Sequence, residues 1–93
     1  MDWAKTGAVA FQLLAEVACV RFWGEVRYVA GYDHIVYLGN DCDAPSSCVV
    51  WTDVNPEPQS VTVPGHETAV VVTFRGSPAS TFFPFVRCVD APQ

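Results

Sequence analysis

Histidine, serine and aspartate side chains are the residues of this sequence that could support hydrolysis. His34 and His66 are candidate bases, and Asp33 and Asp53 are candidate orienting acids. The candidate nucleophiles are Ser46, Ser47, Ser60, Ser77 and Ser80. Hydrolysis requires nucleophile, base and acid within hydrogen-bond reach, yet no serine stands in a G-x-S-x-G elbow. We therefore predict no catalytic residue and no enzyme, with each histidine at the surface or in a hydrogen bond.

Two acidic stretches offer oxygen ligands at alternating positions, which is the chemistry of a calcium site. They contain Asn40, Asp41, Asp43, Asp53, Asn55 and Glu57. Calcium takes several oxygen ligands, so loops 40–43 and 53–57 would share an ion if they lay at one end of the fold. Neither stretch follows the D-x-D-x-D-G order, and Asn and Asp also bond the backbone of their own turns. Calcium or a small ligand is therefore the alternative function, and no other cofactor is predicted.

Four cysteines, Cys19, Cys42, Cys48 and Cys88, form an even set in a short chain, which is typical of a disulfide framework. Three pairings are possible, and we favour Cys42–Cys48 across a turn with Cys19–Cys88 near the two ends. A zinc site is disfavoured because five residues separate the closest two cysteines and the histidines are far from each other. The framework predicts an oxidising compartment, so a secreted or periplasmic protein.

The composition restricts the class of partner. The 93 residues are 51% hydrophobic and 16% charged, with a net charge of −5, and residues 28–74 contain six acids and no lysine or arginine. A nucleic acid backbone would be repelled by this charge. The apolar N-terminal stretch is too short for a transmembrane segment.

Residues 1–18, MDWAKTGAVAFQLLAEVA, differ from the rest of the chain and are predicted to be an apolar helical segment. Val9, Leu13 and Val17 recur at helical spacing, and Asp2 is a candidate cap. A signal peptide is the alternative, but Asp2 replaces the usual basic residues and Glu16 interrupts the end.

Period-two patterns dominate residues 19–93, which we predict to be one disulfide-bridged β-sandwich domain. The predicted strands cover 19–30, 34–39, 48–53, 59–63, 68–74 and 81–89. The first two are predicted to form a hairpin, and 68–74 is predicted to be covered on both faces. Pro84 places the last strand at an edge or bulge. Such spacing predicts a mainly β fold, an antiparallel immunoglobulin-like sandwich of six to seven strands with an N-terminal helix and two disulfides. A small barrel is the runner-up.

The phrases GYDHIVYLGNDC, TDVNPEP, VPGHETAVVVTFRGSP and the closing RC resemble small secreted bacterial immunoglobulin-like domains of uncharacterised function. The resemblance covers about residues 17–88. It implies an exported sandwich with two disulfides and no reaction. The chain departs from that group in its N-terminal stretch and in its more hydrophobic surface. Both departures would fit a variant redesigned to assemble or to bind.

Aromatic residues favour a function in protein contact. Twelve of them exceed what a six-stranded core of this size hides, and Trp and Tyr anchor interfaces. We predict a non-enzymatic structural or interaction module that forms a homo-oligomer or binds a protein partner. The predicted interface residues are Phe11, Leu14, Tyr28, Tyr37, Trp51 and Phe83. Arg75 is predicted to clamp a loop carboxylate, Asp33 or Asp53, in preference to binding an anion.

Overall fold

The computed structural model describes residues 19–90, which form six β-strands joined by turns and loops. The strands are β1 (Val20–Tyr28), β2 (Tyr32–Asn40), β3 (Ser46–Thr52), β4 (Gln59–Val63), β5 (Thr68–Ser77) and β6 (Pro84–Asp90). Six strands match the six predicted segments to within a few residues, because alternating apolar residues specify the buried face of each strand. The helix predicted within residues 1–18 lies outside the described residues.

Residues 19–90 contain no helix of the length and apolarity that crossing a membrane requires.

Two three-stranded antiparallel sheets make up the fold. Sheet 1 has the order β1-β2-β5, and sheet 2 has the order β4-β3-β6. The predicted hairpin of β1 and β2 is confirmed, with Val20 opposite Asn40 and Tyr28 opposite Tyr32. The chain then crosses to sheet 2 through residues 41–45, so β3 does not extend the hairpin sheet.

The inner faces of the two sheets share one hydrophobic core. Sheet 1 contributes Val20, Val36, Leu38 and Val71, while sheet 2 contributes Cys48, Val50 and Val63. All of these side chains are buried because they point inwards: the even-numbered residues do so in β1, β2 and β3, and the odd-numbered residues do so in β4 and β5. The core is small, as expected for so short a chain.

The two disulfides are confirmed, but the favoured pairing was wrong. The bridges join Cys19 to Cys42 and Cys48 to Cys88, and the described part of the chain holds no free cysteine. Cys48 and Cys88 lie directly opposite each other on β3 and β6, with their Cα atoms 4.0 Å apart. Cys42 cannot reach Cys48 because Cys48 points into the core from within β3, whereas Cys42 lies in the loop beside the start of β1.

Asn40 explains why that loop stays beside β1. Its buried side chain donates to the carbonyl oxygens of Ala44 and Val63 and accepts a bond from the backbone N–H of Cys42. The backbone N–H of Asp41, between Asn40 and Cys42, donates to the carbonyl oxygen of Cys19 at 3.0 Å. These bonds bring Cys42 to Cys19, so the turn NDCDAPSSC is organised by an asparagine and bridged to the first strand.

A second correction concerns β5, which was predicted to be covered on both faces. Its outward residue Val70 is 58% exposed, whereas its inward residue Val71 is buried. β5 lies at the edge of sheet 1, and among residues 19–90 no element packs on the outer face of that sheet. The apolar run therefore reflects β-propensity as well as burial. The prediction for β6 is confirmed, since among the described strands it lies at the edge of sheet 2 and begins at Pro84.

Removing the Cys48–Cys88 bridge should destabilise the protein strongly. The two cysteines are 40 residues apart, and the chain-entropy model gives about 4 kcal/mol for such a loop. We expect a loss of this order in the free energy of unfolding for Cys48→Ala with Cys88→Ala, measured by urea denaturation. The matched control is Cys19→Ala with Cys42→Ala, whose smaller separation of 23 residues gives about 3 kcal/mol. A larger loss for the control pair would contradict the ranking, since Cys48 is also buried in the core.

Candidate functional site

The edge strands β1 and β6 lie next to each other on one side of the molecule, while β4 and β5 lie together on the other side. An open groove of about 360 Å³ runs along β6. It is lined by Phe22 of β1, Trp51 of β3 and residues 84–88 of β6. The groove therefore follows the side of the fold where each sheet ends.

Large apolar side chains are exposed along these two strands. Among residues 19–90, every exposed large hydrophobic side chain except Val70 lies on β1, on β6 or one residue beyond them. Phe83 is 71% exposed and Tyr28 is 68% exposed. We call the set the aromatic edge; it consists of Trp23, Tyr28, Phe83, Phe85 and Val89.

Backbone and stacking contacts hold the β6 part of the aromatic edge in place. Asp53 accepts a hydrogen bond from the Phe83 backbone N–H at 2.8 Å, and its own N–H donates to the Phe83 carbonyl oxygen at 3.2 Å. Phe85 stacks on Trp51 of the neighbouring strand, with ring centroids 5.7 Å apart. These contacts restrict the positions of Phe83 and Phe85.

The inner side of the same strands is closed by Phe82 and His34. Phe82 packs over Gly24 so closely that a Cβ there would lie 3.0 Å from the ring. The ring of Phe82 stacks on the buried imidazole of His34 at 4.5 Å between centroids. Gly24 therefore leaves room for an aromatic ring between β1 and the segment that leads into β6.

Trp23 sits within a polar and aromatic row on the outer face of sheet 1. It stacks on Tyr37 of β2 at 5.5 Å between ring centroids, and the Arg21 guanidinium lies 5.6 Å from its ring. The Tyr37 hydroxyl donates to Glu25, and this bond lowers the pKa of the Glu25 carboxyl. The same bond raises the pKa of the Tyr37 hydroxyl, because it favours the protonated phenol.

The predicted interface residues fall into three groups. Tyr28 and Phe83 are exposed, whereas Tyr37 and Trp51 are half-buried by stacking on Trp23 and Phe85. Phe11 and Leu14 lie outside the described residues.

Sequence reasoning missed Trp23, Phe85 and Val89 as exposed residues. The alternation along β1 could have predicted the exposure of Trp23, because Trp23 lies on the same outward face as the charged residues Arg21 and Glu25.

The candidate catalytic side chains do not come together. His34 is buried and its Nε2 donates to the Ala79 carbonyl oxygen at 2.7 Å, while Nδ1 has no partner among the described atoms. His66 is exposed and its Nε2 lies 2.5 Å from Asp43. Within residues 19–90 neither imidazole is hydrogen-bonded to a serine hydroxyl, so the geometry assembles no nucleophile and base pair.

The two acidic stretches lie at opposite ends of β3. Loop 41–45 leads into Ser46 and residues 53–58 follow Thr52, so about 20 Å of strand separates them. The residues 19–90 contain no group of three His, Cys, Asp or Glu side chains arranged for a metal ion. The condition for a shared ion, two loops at one end, is not met by this topology.

The acidic side chains make separate contacts within the protein. Asp41 pairs with Arg21 at 2.8 Å, which lowers the pKa of the Asp41 carboxyl. Asn55 donates to the Thr73 carbonyl oxygen at 2.7 Å and accepts the Glu57 backbone N–H. Such bonds are the ordinary use of Asp and Asn in turns.

Arg75 forms the predicted clamp with Asp33, at 3.7 Å between Nη1 and Oδ2. Asp33 also accepts the backbone N–H of Gly76 at 2.9 Å. The ion pair is largely exposed on the arginine side, so its contribution to stability is small.

Comparison with known proteins gives no relative: no family model, curated protein or solved structure matches the chain.

Replacing Tyr37 with phenylalanine tests the outer-face row. Tyr37→Phe removes the bond to Glu25, so the pKa of the Glu25 carboxyl should rise towards its ordinary value in a carboxyl NMR titration. Arg27→Gln is the control and should raise that pKa less, because the Tyr37 bond is the larger cause of the lowering. An unchanged Glu25 pKa in Tyr37→Phe would contradict this assignment.

The same bond sets a pH dependence of stability. The lowered pKa of Glu25 means that its stabilisation is present at neutral pH and is lost as the pH falls through that pKa. The raised pKa of Tyr37 means that its stabilisation is lost as the pH rises through that pKa. The stability difference between wild type and Tyr37→Phe should therefore be greatest near neutral pH, as measured by thermal unfolding across pH.

Proposed function

We propose that this chain is a non-enzymatic interaction module that associates with itself, or with another protein, through its aromatic edge. Burial of exposed aromatic side chains is the main source of affinity in such contacts, since aromatic residues dominate the energetics of interfaces. The edge strands of the two sheets also carry backbone groups that strand addition satisfies.

The single observation that carries the proposal is where the exposed apolar side chains lie. Phe85 and Val89 lie on β6 with Phe83 one residue before it, and Trp23 and Tyr28 lie on β1, which contacts β6. Random scatter of single apolar residues over a surface needs no explanation. Concentration along two adjacent edges favours an interaction site.

We also propose that the fold is immunoglobulin-like, and its strand order supports this. The order β1-β2-β5 corresponds to strands A, B and E of an immunoglobulin domain, and β4-β3-β6 corresponds to C′, C and F. In immunoglobulin domains strand G pairs with the free side of F. Residues 19–90 provide no strand at that position, which leaves the outer side of β6 without a neighbour in the described fold.

The proposed location is outside the cytoplasm, secreted or periplasmic. Two disulfides indicate an oxidising environment, in which such bridges form and persist. A chain that depends on these bridges for stability would be weakened in a reducing compartment.

The oligomeric state of the protein tests self-association. We expect the mass measured by light scattering to rise above 10.2 kDa with increasing concentration. Phe83→Ser should weaken association at least about tenfold. Truncating an aromatic residue at the centre of an interface commonly costs about 2 kcal/mol of binding free energy.

The matched control is Val70→Ser, which removes an exposed apolar side chain from β5, away from the aromatic edge. It should leave association unchanged. A mass of one chain at every concentration would overturn self-association, and equal weakening by the two substitutions would exclude the aromatic edge as its site.

A further inference from the structure

The free edge of β6, on the side away from β3, carries backbone N–H and C=O groups with no partner among residues 19–90. The Cys48–Cys88 pair shows which residues these groups belong to. Directly opposed residues of antiparallel strands alternate between hydrogen-bonded pairs and closer pairs without hydrogen bonds. The 4.0 Å Cα separation of Cys48 and Cys88 identifies theirs as a close pair. The N–H and C=O groups of Cys88 therefore point away from β3.

The same alternation assigns the rest of the strand. Val86, two residues from Cys88, also directs its N–H and C=O groups outwards, whereas Arg87 and Phe85 bond to β3 opposite Val49 and Trp51. Pro84 offers only its carbonyl oxygen. The free side of β6 is thus a short row of donors and acceptors centred on Val86 and Cys88.

We propose that this row pairs with β6 of a second copy of the chain in an antiparallel arrangement. The inference rests on the proposed function and names its partner and its register. A twofold axis perpendicular to sheet 2 would join the two copies into one six-stranded sheet. Contacts of this kind are isologous, because the same surface is used twice.

The side chains of β6 favour a register centred on Val86 over the one centred on Arg87. With Val86 opposite Val86 of the second copy, Phe85 lies opposite Arg87 and Phe83 lies opposite Val89, each twice by symmetry. A cation next to an aromatic ring and an apolar pair are both favourable contacts across strands. The register two residues along places Arg87 opposite Arg87, and like charges directly opposed are destabilising.

The favoured register also satisfies the backbone. Val86 and Val86 of the second copy exchange two hydrogen bonds, and each Cys88 N–H donates to a Pro84 carbonyl oxygen. The inward side chains of the added strand lie near Phe22, which lines the groove beside β6. β1 lies on this side of each copy, so the axis brings the two β1 edges towards each other and enlarges a contact that a short strand pair alone would leave small.

Two substitutions of Phe85 with opposite charge test this register in the full chain. Phe85→Glu and Phe85→Lys remove the same ring, which is 44% exposed, but place opposite charges across from Arg87 of the second copy. We expect Phe85→Glu to keep the dimer within about threefold of wild type and Phe85→Lys to weaken it by about tenfold or more. Phe85→Lys with Arg87→Glu should restore the dimer. Light scattering measures the association, and thermal unfolding confirms that each variant is folded.

Wild-type hydrogen exchange provides an independent readout if a variant is unstable. The amides of Val86 and Cys88 should exchange more slowly as the protein concentration rises, whereas the Arg87 amide, bonded within the chain, should be protected at every concentration. Val86 and Cys88 amides that exchange at the same rate at all concentrations would overturn the strand pairing.

The outcomes separate this inference from the proposed function. If wild type associates but Phe85→Glu and Phe85→Lys weaken it equally, the aromatic edge is the site and the β6 register is wrong. If wild type stays a single chain at every concentration, both self-association and the strand pairing are overturned.

Discussion

The bridge between Cys48 and Cys88 is the constraint on which the outer part of the fold depends. β6 is the last strand, begins with a proline and has a neighbour in the described structure on one side, namely β3. The covalent link joins this edge strand to the middle strand of sheet 2 inside the core. Because β6 carries Phe85 and Val89, the same link fixes this part of the aromatic edge relative to the rest of the protein.

Along most strands, residues alternate between a buried inward side chain and a more exposed outward one. In β3 the inward residues Cys48 and Val50 are buried, while outward Trp51 is half-exposed and shields Phe85. In β1 the outward row alternates charged residues with Trp23, so the ring packs between Arg21 and Tyr37. The protein thus tolerates large apolar groups on its surface by stacking them in pairs. What remains uncovered lies along the edges of the sheets.

Local sequence predicted the strands well because period two is a local property. VRFWGEVRY and QSVTV alternate clearly, and both became strands at nearly the predicted positions. The disulfide pairing could not be predicted in the same way, since it depends on which sheet each strand joins. A turn with Pro45 between Cys42 and Cys48 suggests a local bridge, but residues 41–45 connect two different sheets.

The sequence predicted that aromatic side chains would be exposed, but it identified only some of the exposed residues. An excess of aromatic residues indicated an exposed surface, and Tyr28 and Phe83 are indeed exposed. Tyr37 and Trp51 are half-buried instead because each stacks on a ring of the adjacent strand, a contact that requires the register to be known. The acidic loops show the same limit, because their spacing in sequence does not reveal that β3 separates them.

The direct opposition of Cys48 and Cys88 also makes oxidation a proofreading step. A slip of β6 along β3 that keeps the same face inwards must cover two residues, which moves the sulfur atoms apart by about 7 Å. At that offset the two thiols cannot join. The Cys48–Cys88 bridge therefore forms only after the last strand has reached its correct alignment, and once formed it holds that alignment.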